Sequence, residues 1–190
     1  MSTGPVVTPT PQQLRALTHP ARLRMLGMLR VDGPATATSL ARALGLNTGA
    51  TSYHLRQLAE HGFIEEDTER GNARDRWWRA TASSTRTAPP SPDDVEGQDA
   101  AIAYLQSVVM VYAGQLQRSV EELPLLPQPW QDATTYSDWI VRLSPSGAAA
   151  LRERLEAVVE AATDEEGEDT APYVVNLNAY VRPGVLGEDR

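Results

Sequence analysis

The sequence contains no cysteine. This absence excludes disulfide bonds, thiolate metal sites and thiol catalysis. The sequence also lacks any apolar run approaching the roughly 20 residues that a membrane-spanning helix requires. Its opening segment, MSTGPVVTPTPQQ, has neither the basic start nor the apolar core of a signal peptide. We therefore expect a cytoplasmic protein that does not bind membranes.

Residues suited to catalysis are equally sparse. The sequence has no Gly-rich phosphate loop, and its three histidines all precede residue 62, so none follows that could activate a serine in the later half. Paired carboxylates such as Glu121 and Glu122 are adjacent in sequence and do not face each other on a helix. We predict that the protein is not an enzyme and holds no cofactor.

Lysine is absent too, and the 17 basic residues, all arginine, are unevenly placed. Residues 1–86 hold 11 arginines against 7 acidic residues, a net charge of +4, whereas residues 87–190 hold 6 arginines against 18 acidic residues, a net charge of −12. A basic half joined to an acidic half indicates that only the first half meets phosphate. The alternative is a difference in surface composition without function. The acidity of the second half fits either repulsion of DNA or simple solubility.

Helix signals follow one another through the first third of the chain. Prolines at the first helical position open two short helices, at Pro11 and Pro20. A third helix ends at Gly45, and a fourth spans about residues 48–61. The segments FIEEDT and RWWRAT are enriched in aromatic and β-branched residues, and they flank the polar segment ERGNARD. This pattern predicts a β-hairpin after the four helices.

A linker and a long helix are predicted next. Residues 82–98 are rich in proline, serine and threonine, which is typical of a linker. The helix predicted over residues 99–123 carries an apolar seam that steps by three or four residues throughout, which favours dimerisation over packing within the same chain. The seam consists of Ile102, Leu105, Val109, Tyr112, Leu116 and Val120.

Residues 130–183 predict a small strand-helix-strand region that serves dimerisation or ligand sensing. Its two strands are expected at residues 136–143 and at residues 173–181, and in the second of these the side chains alternate between two faces. The aromatic residues of the region could line a small-molecule pocket or belong to the core and a dimer interface; they are Trp130, Tyr136, Trp139, Tyr173 and Tyr180. The chain as a whole is therefore predicted to be α+β and mainly helical.

Two short helices joined by the segment GLNT match the helix-turn-helix arrangement, in which the second helix enters the major groove of DNA. On that second helix, Thr51, Leu55 and Leu58 are expected to face inward. Arginine suits guanine, glutamine suits adenine, and serine or threonine suits base edges or phosphate. The predicted DNA-binding residues are Thr48, Gly49, Ser52, Tyr53, His54, Arg56 and Gln57 on the helix, and Arg70, Arg74 and Arg76 at the hairpin tip.

The motifs LTHPARLRMLGML, SLARALGLNTGATSYHLRQLAEHGFIEE and RDRWWRAT resemble the winged-helix repressors of the arsenical-resistance (ArsR) family, and especially its larger members with an extra C-terminal region. The resemblance covers about residues 12–81, within a winged helix-turn-helix domain predicted over residues 10–81. It implies a homodimeric repressor that reads a pseudo-palindromic operator on double-stranded DNA with helix 48–61 and contacts its backbone with wing 64–80. Metal sensors of that family use cysteines or late histidines, which are absent here, so we expect no metal site.

Two questions about partners stay open at this point. A winged helix that binds another protein instead of DNA is the alternative function, because a fold alone does not determine what it binds. An unidentified small molecule or partner protein could also act on the C-terminal region and change the spacing of the two recognition helices.

Overall fold

A computed structural model describes residues 5–70, 75–87 and 89–185. The chain divides into two compact units, with the boundary between Leu126 and Pro127. The helices of the first unit are α1 (Pro11–Ala16), α2 (Pro20–Val31), α3 (Ala37–Leu44), α4 (Thr48–Glu60) and α5 (Val95–Glu122), followed by a 3-10 turn at Leu123–Leu125. Its strands are β1 (Val6–Val7), β2 (Ala35–Thr36), β3 (Ile64–Glu66), β4 (Trp77–Ala80) and β5 (Ser84–Thr85). The second unit contains α6 (Gln128–Ala133) and α7 (Pro145–Glu160). None of the helices described combines the length and apolar character needed to span a bilayer.

The predicted hairpin is confirmed as β3 and β4, which pair antiparallel with Ile64 opposite Ala80. Strand β2 adds to the other edge of β4, with Ala35 opposite Trp78, and so completes a three-stranded sheet. Strands β1 and β5 form a separate parallel pair. The sequence pattern did not predict β1, β2 or β5, because each is only two residues long and shows no periodicity.

The core of the first unit lies between α2, α4 and the sheet. Leu26, Leu55, Leu58 and Phe63 are almost completely excluded from solvent, and they pack in one cluster with Trp78 of β4. Burial of each such side chain contributes roughly 1.5–3 kcal/mol of transfer free energy. This cluster holds α4 and the wing in a defined relationship.

Helix α5 begins earlier than the sequence pattern indicated, at Val95 rather than near residue 99. Its cap is Asp94, whose Oδ1 accepts a hydrogen bond from Gly97 N at 2.9 Å. The first turn of α5 and strand β5 therefore lie within the segment predicted to be a linker. One face of α5 packs on the winged helix, where Ser107 Oγ donates to Thr18 O at 2.5 Å. The predicted seam lies mainly on the solvent side of α5, and Ile102 and Val109 are 54% and 61% exposed.

In the second unit the predicted helix is present as α7, but the two predicted flanking strands are not. Residues 136–143 and 173–181 form no ladder with any described segment of the chain. Local residue preference favours a strand, but a strand exists only where a neighbouring strand supplies hydrogen bonds. Of residues 127–185, none is buried.

The aromatic residues of this unit do not assemble into one pocket. The rings of Trp130 and Tyr173 stack with their centres 6.4 Å apart, and Tyr173 Oη donates to Ala133 O at 2.7 Å. In contrast, Trp139 and Tyr180 are 80% and 79% exposed. A pocket lined by all five predicted aromatic residues is therefore absent from the described unit.

Candidate nucleic-acid interface

The turn between α3 and α4 is built from local hydrogen bonds. Gly45 adopts a left-handed conformation with φ 65°, which glycine tolerates best and which ends α3. Leu46 N then donates to Ala41 O at 2.9 Å. Asn47 starts α4, because its Oδ1 accepts a hydrogen bond from Ala50 N at 2.8 Å. These contacts set the direction in which α4 leaves the turn.

Helix α4 presents a polar face to solvent. Its inward face is as predicted, because Thr51, Leu55 and Leu58 are buried. Within the described parts of the chain, Arg56 is exposed and forms no hydrogen bond or ion pair. The outward face carries exposed Thr48, Gly49, Tyr53 and Arg56, with Ser52 and Gln57 half-buried beside them.

His54 lies at the edge of that face, where its ring centre is 5.5 Å from that of Tyr53. Its ring centre is 4.4 Å from that of His19, the N-cap of α2. His54 Nδ1 is sealed from solvent and has no hydrogen-bond partner. Burial, assisted by the nearby His19 and Arg22, lowers the pKa of His54. The structure therefore places His54 beside Tyr53 of the outward face, where it also meets the N-cap of α2. Its contact with DNA stays a prediction.

The arginines of the wing are already paired with carboxylates. Arg76 Nε lies 3.1 Å from Glu66 Oε2, and its guanidinium carbon is 5.7 Å from the centre of the Trp78 ring. Arg70 Nε lies 3.6 Å from an oxygen of Asp67, whose side chain is almost completely buried. Arg74, the third predicted wing contact, lies outside the described residues. To bind phosphate, Arg70 and Arg76 must share or exchange these carboxylate partners.

A groove of ≈ 310 Å³ joins the recognition helix to the wing. Arg56 and Ser52 of α4 line one side of it, and Arg76 lies on the wing side. The lining also includes Thr36 and Thr38, at the start of α3, which the sequence analysis did not identify. Helix N-termini attract anions, so the position of these threonines at the start of a helix is the sequence feature that could have identified them. The groove brings two guanidinium groups and several hydroxyl groups together.

Gly49 has room for a larger residue within the chain. A Cβ added there would lie 3.4 Å from Asn47 Oδ1, an ordinary contact. Glycine inside a helix costs roughly 1 kcal/mol relative to alanine, and packing within this chain does not require it. Its position on the outward face of α4 is consistent with close approach of another molecule.

The described parts of the chain bring no three histidine, aspartate or glutamate residues together in an arrangement that could hold a metal ion. The groove is lined by guanidinium and hydroxyl groups together with the carboxylate of Asp75. Guanidinium and hydroxyl groups are those with which proteins contact nucleic-acid phosphates and base edges.

Comparison with known proteins agrees with the geometry. Residues 17–67 match the family model described as a helix-turn-helix domain. The HTH-type transcriptional regulator YgaV of Escherichia coli is 38% identical over 56 residues, which cover 30% of this chain and 57% of YgaV. The HTH-type transcriptional regulator NmtR of Mycobacterium tuberculosis is 43% identical over 54 residues, which cover 28% of this chain and 44% of NmtR. The chain thus spans about half the length of these relatives.

Solved structures give weaker similarity. ZitR of Lactococcus lactis aligns with a TM-score of 0.31 and 12% identity, over 78% of this chain and 86% of that one. Such a score is too low to establish a common overall fold. The sequence matches and the α3–turn–α4–wing geometry nevertheless define a winged helix-turn-helix domain, related in sequence to HTH-type transcriptional regulators.

Proposed function

We propose that the protein is a cytoplasmic, sequence-specific DNA-binding transcriptional regulator of the ArsR family that acts as a homodimeric repressor. The observation that carries this proposal is the groove shared by α4 and the wing, where Arg56 and Arg76 line one cavity. The groove lies on a domain whose sequence matches helix-turn-helix regulators over residues 17–67. The assignment to the ArsR family and to repression rests on the sequence motifs.

The two arginines are suited to different tasks. Arg56 is exposed on the second helix of the helix-turn-helix and has no partner in the described chain, so it is free to grip guanine or a phosphate. Arg76 is held by Glu66 and the Trp78 ring, which orients its guanidinium beside the groove. A held arginine suits backbone contact, which positions the protein without reading sequence.

Dimerisation through α5 would supply the second recognition helix. The seam of α5 exposes Ile102, Leu105, Val109, Leu116 and Val120, each by more than two-fifths of its surface. Such a continuous apolar row on one helix face is typical of helices that pair with another helix. In a two-fold dimer the two copies of α4 would reach successive major grooves, roughly 34 Å apart. An effector of unidentified chemistry that changes this spacing would regulate binding.

One observation favours the alternative, a protein-interaction module without DNA binding. Arg70 and Arg76 pair with Asp67 and Glu66, and Arg79 Nε lies 2.9 Å from Glu65 Oε1. The wing therefore carries less free positive charge than its arginines suggest. Arg56 has no such partner, so its contribution to DNA binding distinguishes a DNA-binding regulator from a protein-interaction module.

Selection from a random duplex pool tests the proposal. The full-length protein is incubated with the pool at low salt, and bound duplexes are amplified and sequenced over several rounds. We expect enrichment of an inverted repeat whose half-sites lie about 10 base pairs apart, or a multiple of that spacing. A folded protein that enriches no sequence would contradict sequence-specific binding.

A further inference from the structure

The second unit leaves its apolar side chains exposed. Among residues 127–185 none is buried, although the segment is rich in apolar side chains. Trp139 and Ile140 are 80% and 83% exposed, and Val158 of α7 is 72% exposed. Large contiguous apolar surfaces on soluble proteins mark sites of interaction. These exposed side chains are available for contact with another molecule.

The backbone of residues 137–143 leads to the same conclusion. An extended strand would place Trp139, Val141 and Leu143 on one side and Asp138, Ile140 and Arg142 on the other. It pairs with no strand in the described chain. An unpaired segment of this kind is a template for strand addition by another chain.

The size of the uncovered surface fits a protein partner better than a small molecule. Each aromatic side chain offers roughly 150–250 Å² for burial. The exposed aromatic and aliphatic side chains of this unit therefore offer on the order of 1,000 Å², and a stable interface needs about 800 Å² from each partner. A small molecule would also leave the backbone N–H and C=O groups of residues 137–143 without strand partners.

The charges of the segment identify the partner. Asp138 and Arg142 are both exposed, and neither forms an ion pair within the described chain. They stand two residues before and two residues after Ile140. When this segment pairs antiparallel with a second copy of itself about Ile140, each Asp138 lies opposite the other copy's Arg142. Opposite charges directly across an antiparallel pair stabilise it, and like charges destabilise it.

Other registers of the same pairing lose this complementarity. When the two-fold axis moves two residues to position 138, Asp138 lies opposite the other copy's Asp138. When it moves two residues the other way, to position 142, Arg142 lies opposite the other copy's Arg142. Residues 173–181 carry no charge, so they specify no comparable register. An isologous pair centred on Ile140 is also closed by two-fold symmetry, which avoids open-ended assembly.

We propose that residues 137–143 pair antiparallel with the same residues of a second copy, with Ile140 at the two-fold axis. This inference rests on the homodimer of the proposed function and adds to it a second contact, remote in sequence from α5. In the paired state Trp139 of one copy faces Val141 of the other, and Asp138 faces Arg142. The shared strand pair supplies the backbone partners that one chain lacks.

Cysteine cross-linking tests this register, because the natural chain contains no cysteine. Full-length Ile140→Cys is oxidised with a mild oxidant and analysed by non-reducing electrophoresis. Directly opposed residues have Cβ atoms about 4.5–5.5 Å apart, within easy relaxation of disulfide distance. We expect most of the chain to become a covalent dimer.

The matched controls are Asp138→Cys and Arg142→Cys. In the proposed register each introduced thiol lies about 13 Å along the strand from its own counterpart, so neither variant alone should cross-link efficiently. An equimolar mixture of the two, unfolded and refolded together, should form the covalent heterodimer. Charge reversal gives a second measurement: Asp138→Arg should weaken self-association in sedimentation, and adding Arg142→Asp to the same chain should restore it.

Each outcome separates this inference from the proposed function. If the wild-type protein sediments as a dimer but Ile140→Cys stays uncross-linked and its thiol reacts freely with iodoacetamide, the strand pairing is wrong and the α5 dimer stands. The surface would then belong to a different protein or an apolar ligand. Equal cross-linking by Ile140→Cys and Asp138→Cys would also overturn the register. A protein that is monomeric at all concentrations would refute both dimer contacts. Sequence-specific DNA binding is judged separately, by selection from the random duplex pool.

Discussion

Substitution of Arg56 by glutamine separates DNA binding from folding. Arg56 is exposed and has no partner in the described chain, so Arg56→Gln should change the free energy of unfolding by no more than about 0.5 kcal/mol. Loss of an arginine contact to DNA costs about 1–3 kcal/mol. That range corresponds to a roughly 5- to 140-fold increase in Kd.

Fluorescence anisotropy of a labelled operator duplex at several salt concentrations measures this effect and its origin. A phosphate contact by Arg56 would lower the slope of log K against log salt by about 0.9, because one fewer counterion is released. A base contact would leave the slope unchanged and reduce the preference for the operator over a scrambled duplex. Urea unfolding of the same samples measures stability.

Arg79→Gln is the matched control for the Arg56 experiment. Arg79 is also exposed, but it pairs with Glu65 and does not line the groove. We expect its Kd for the operator to stay within about twofold of the wild-type value, a change below 0.5 kcal/mol. If Arg79→Gln weakens binding as much as Arg56→Gln, or if Arg56→Gln binds as well as wild type, the assignment of Arg56 to the interface is wrong.

Three further substitutions test other parts of the account. Gly49→Ala should raise the free energy of unfolding by up to about 1 kcal/mol in urea titrations, because the added Cβ meets only Asn47 Oδ1 at 3.4 Å. The same substitution should weaken DNA binding. A lower free energy of unfolding would contradict this. His54 has a folded-state pKa below its ordinary value, so acidification through about pH 6.5 protonates the unfolded chain first and lowers stability. His54→Leu should flatten that pH dependence, and an unchanged urea midpoint for wild type between about pH 7.5 and 5.5 would refute the assignment. Val109→Glu places a charge on the exposed seam of α5 and should weaken self-association in sedimentation while leaving the helical circular dichroism intact.

The local features of the first unit were predictable because they depend on neighbouring residues. The helix starts predicted at Pro11 and Pro20 are confirmed, and the neighbouring His19 and Asn47 cap α2 and α4 with their side chains. The inward face of α4 followed from helical periodicity. Strand β2 was missed because its pairing with β4 joins segments more than 40 residues apart, and two residues carry no pattern.

The candidate site was predictable in outline but not in its contacts. Periodicity assigns residues to the faces of a helix, but it does not show which neighbour a borderline residue such as His54 will meet. His54 meets His19, which belongs to a different helix. The sequence likewise revealed arginines at the wing, whereas the pairing of Arg76 with Glu66 depends on the register of β3 and β4.

The C-terminal strands illustrate a different difficulty. Residues 173–181 alternate as strands do, and residues 136–143 are rich in aromatic and β-branched residues, but neither segment pairs with a strand of the described chain. Alternation reports the preference of a segment, whereas strand formation depends on a second segment in the correct register. The same composition that made the strands predictable leaves their apolar side chains exposed.

The most direct test of the central claim is DNA binding by the unmodified protein. Anisotropy would compare a duplex from the region upstream of its own gene with a scrambled duplex, each at three salt concentrations. We predict tighter binding to the upstream duplex and a steep loss of affinity as salt increases, because phosphate contacts release counterions. A well-folded dimer that binds neither duplex at low salt would contradict the account and identify the winged helix as a protein-interaction module.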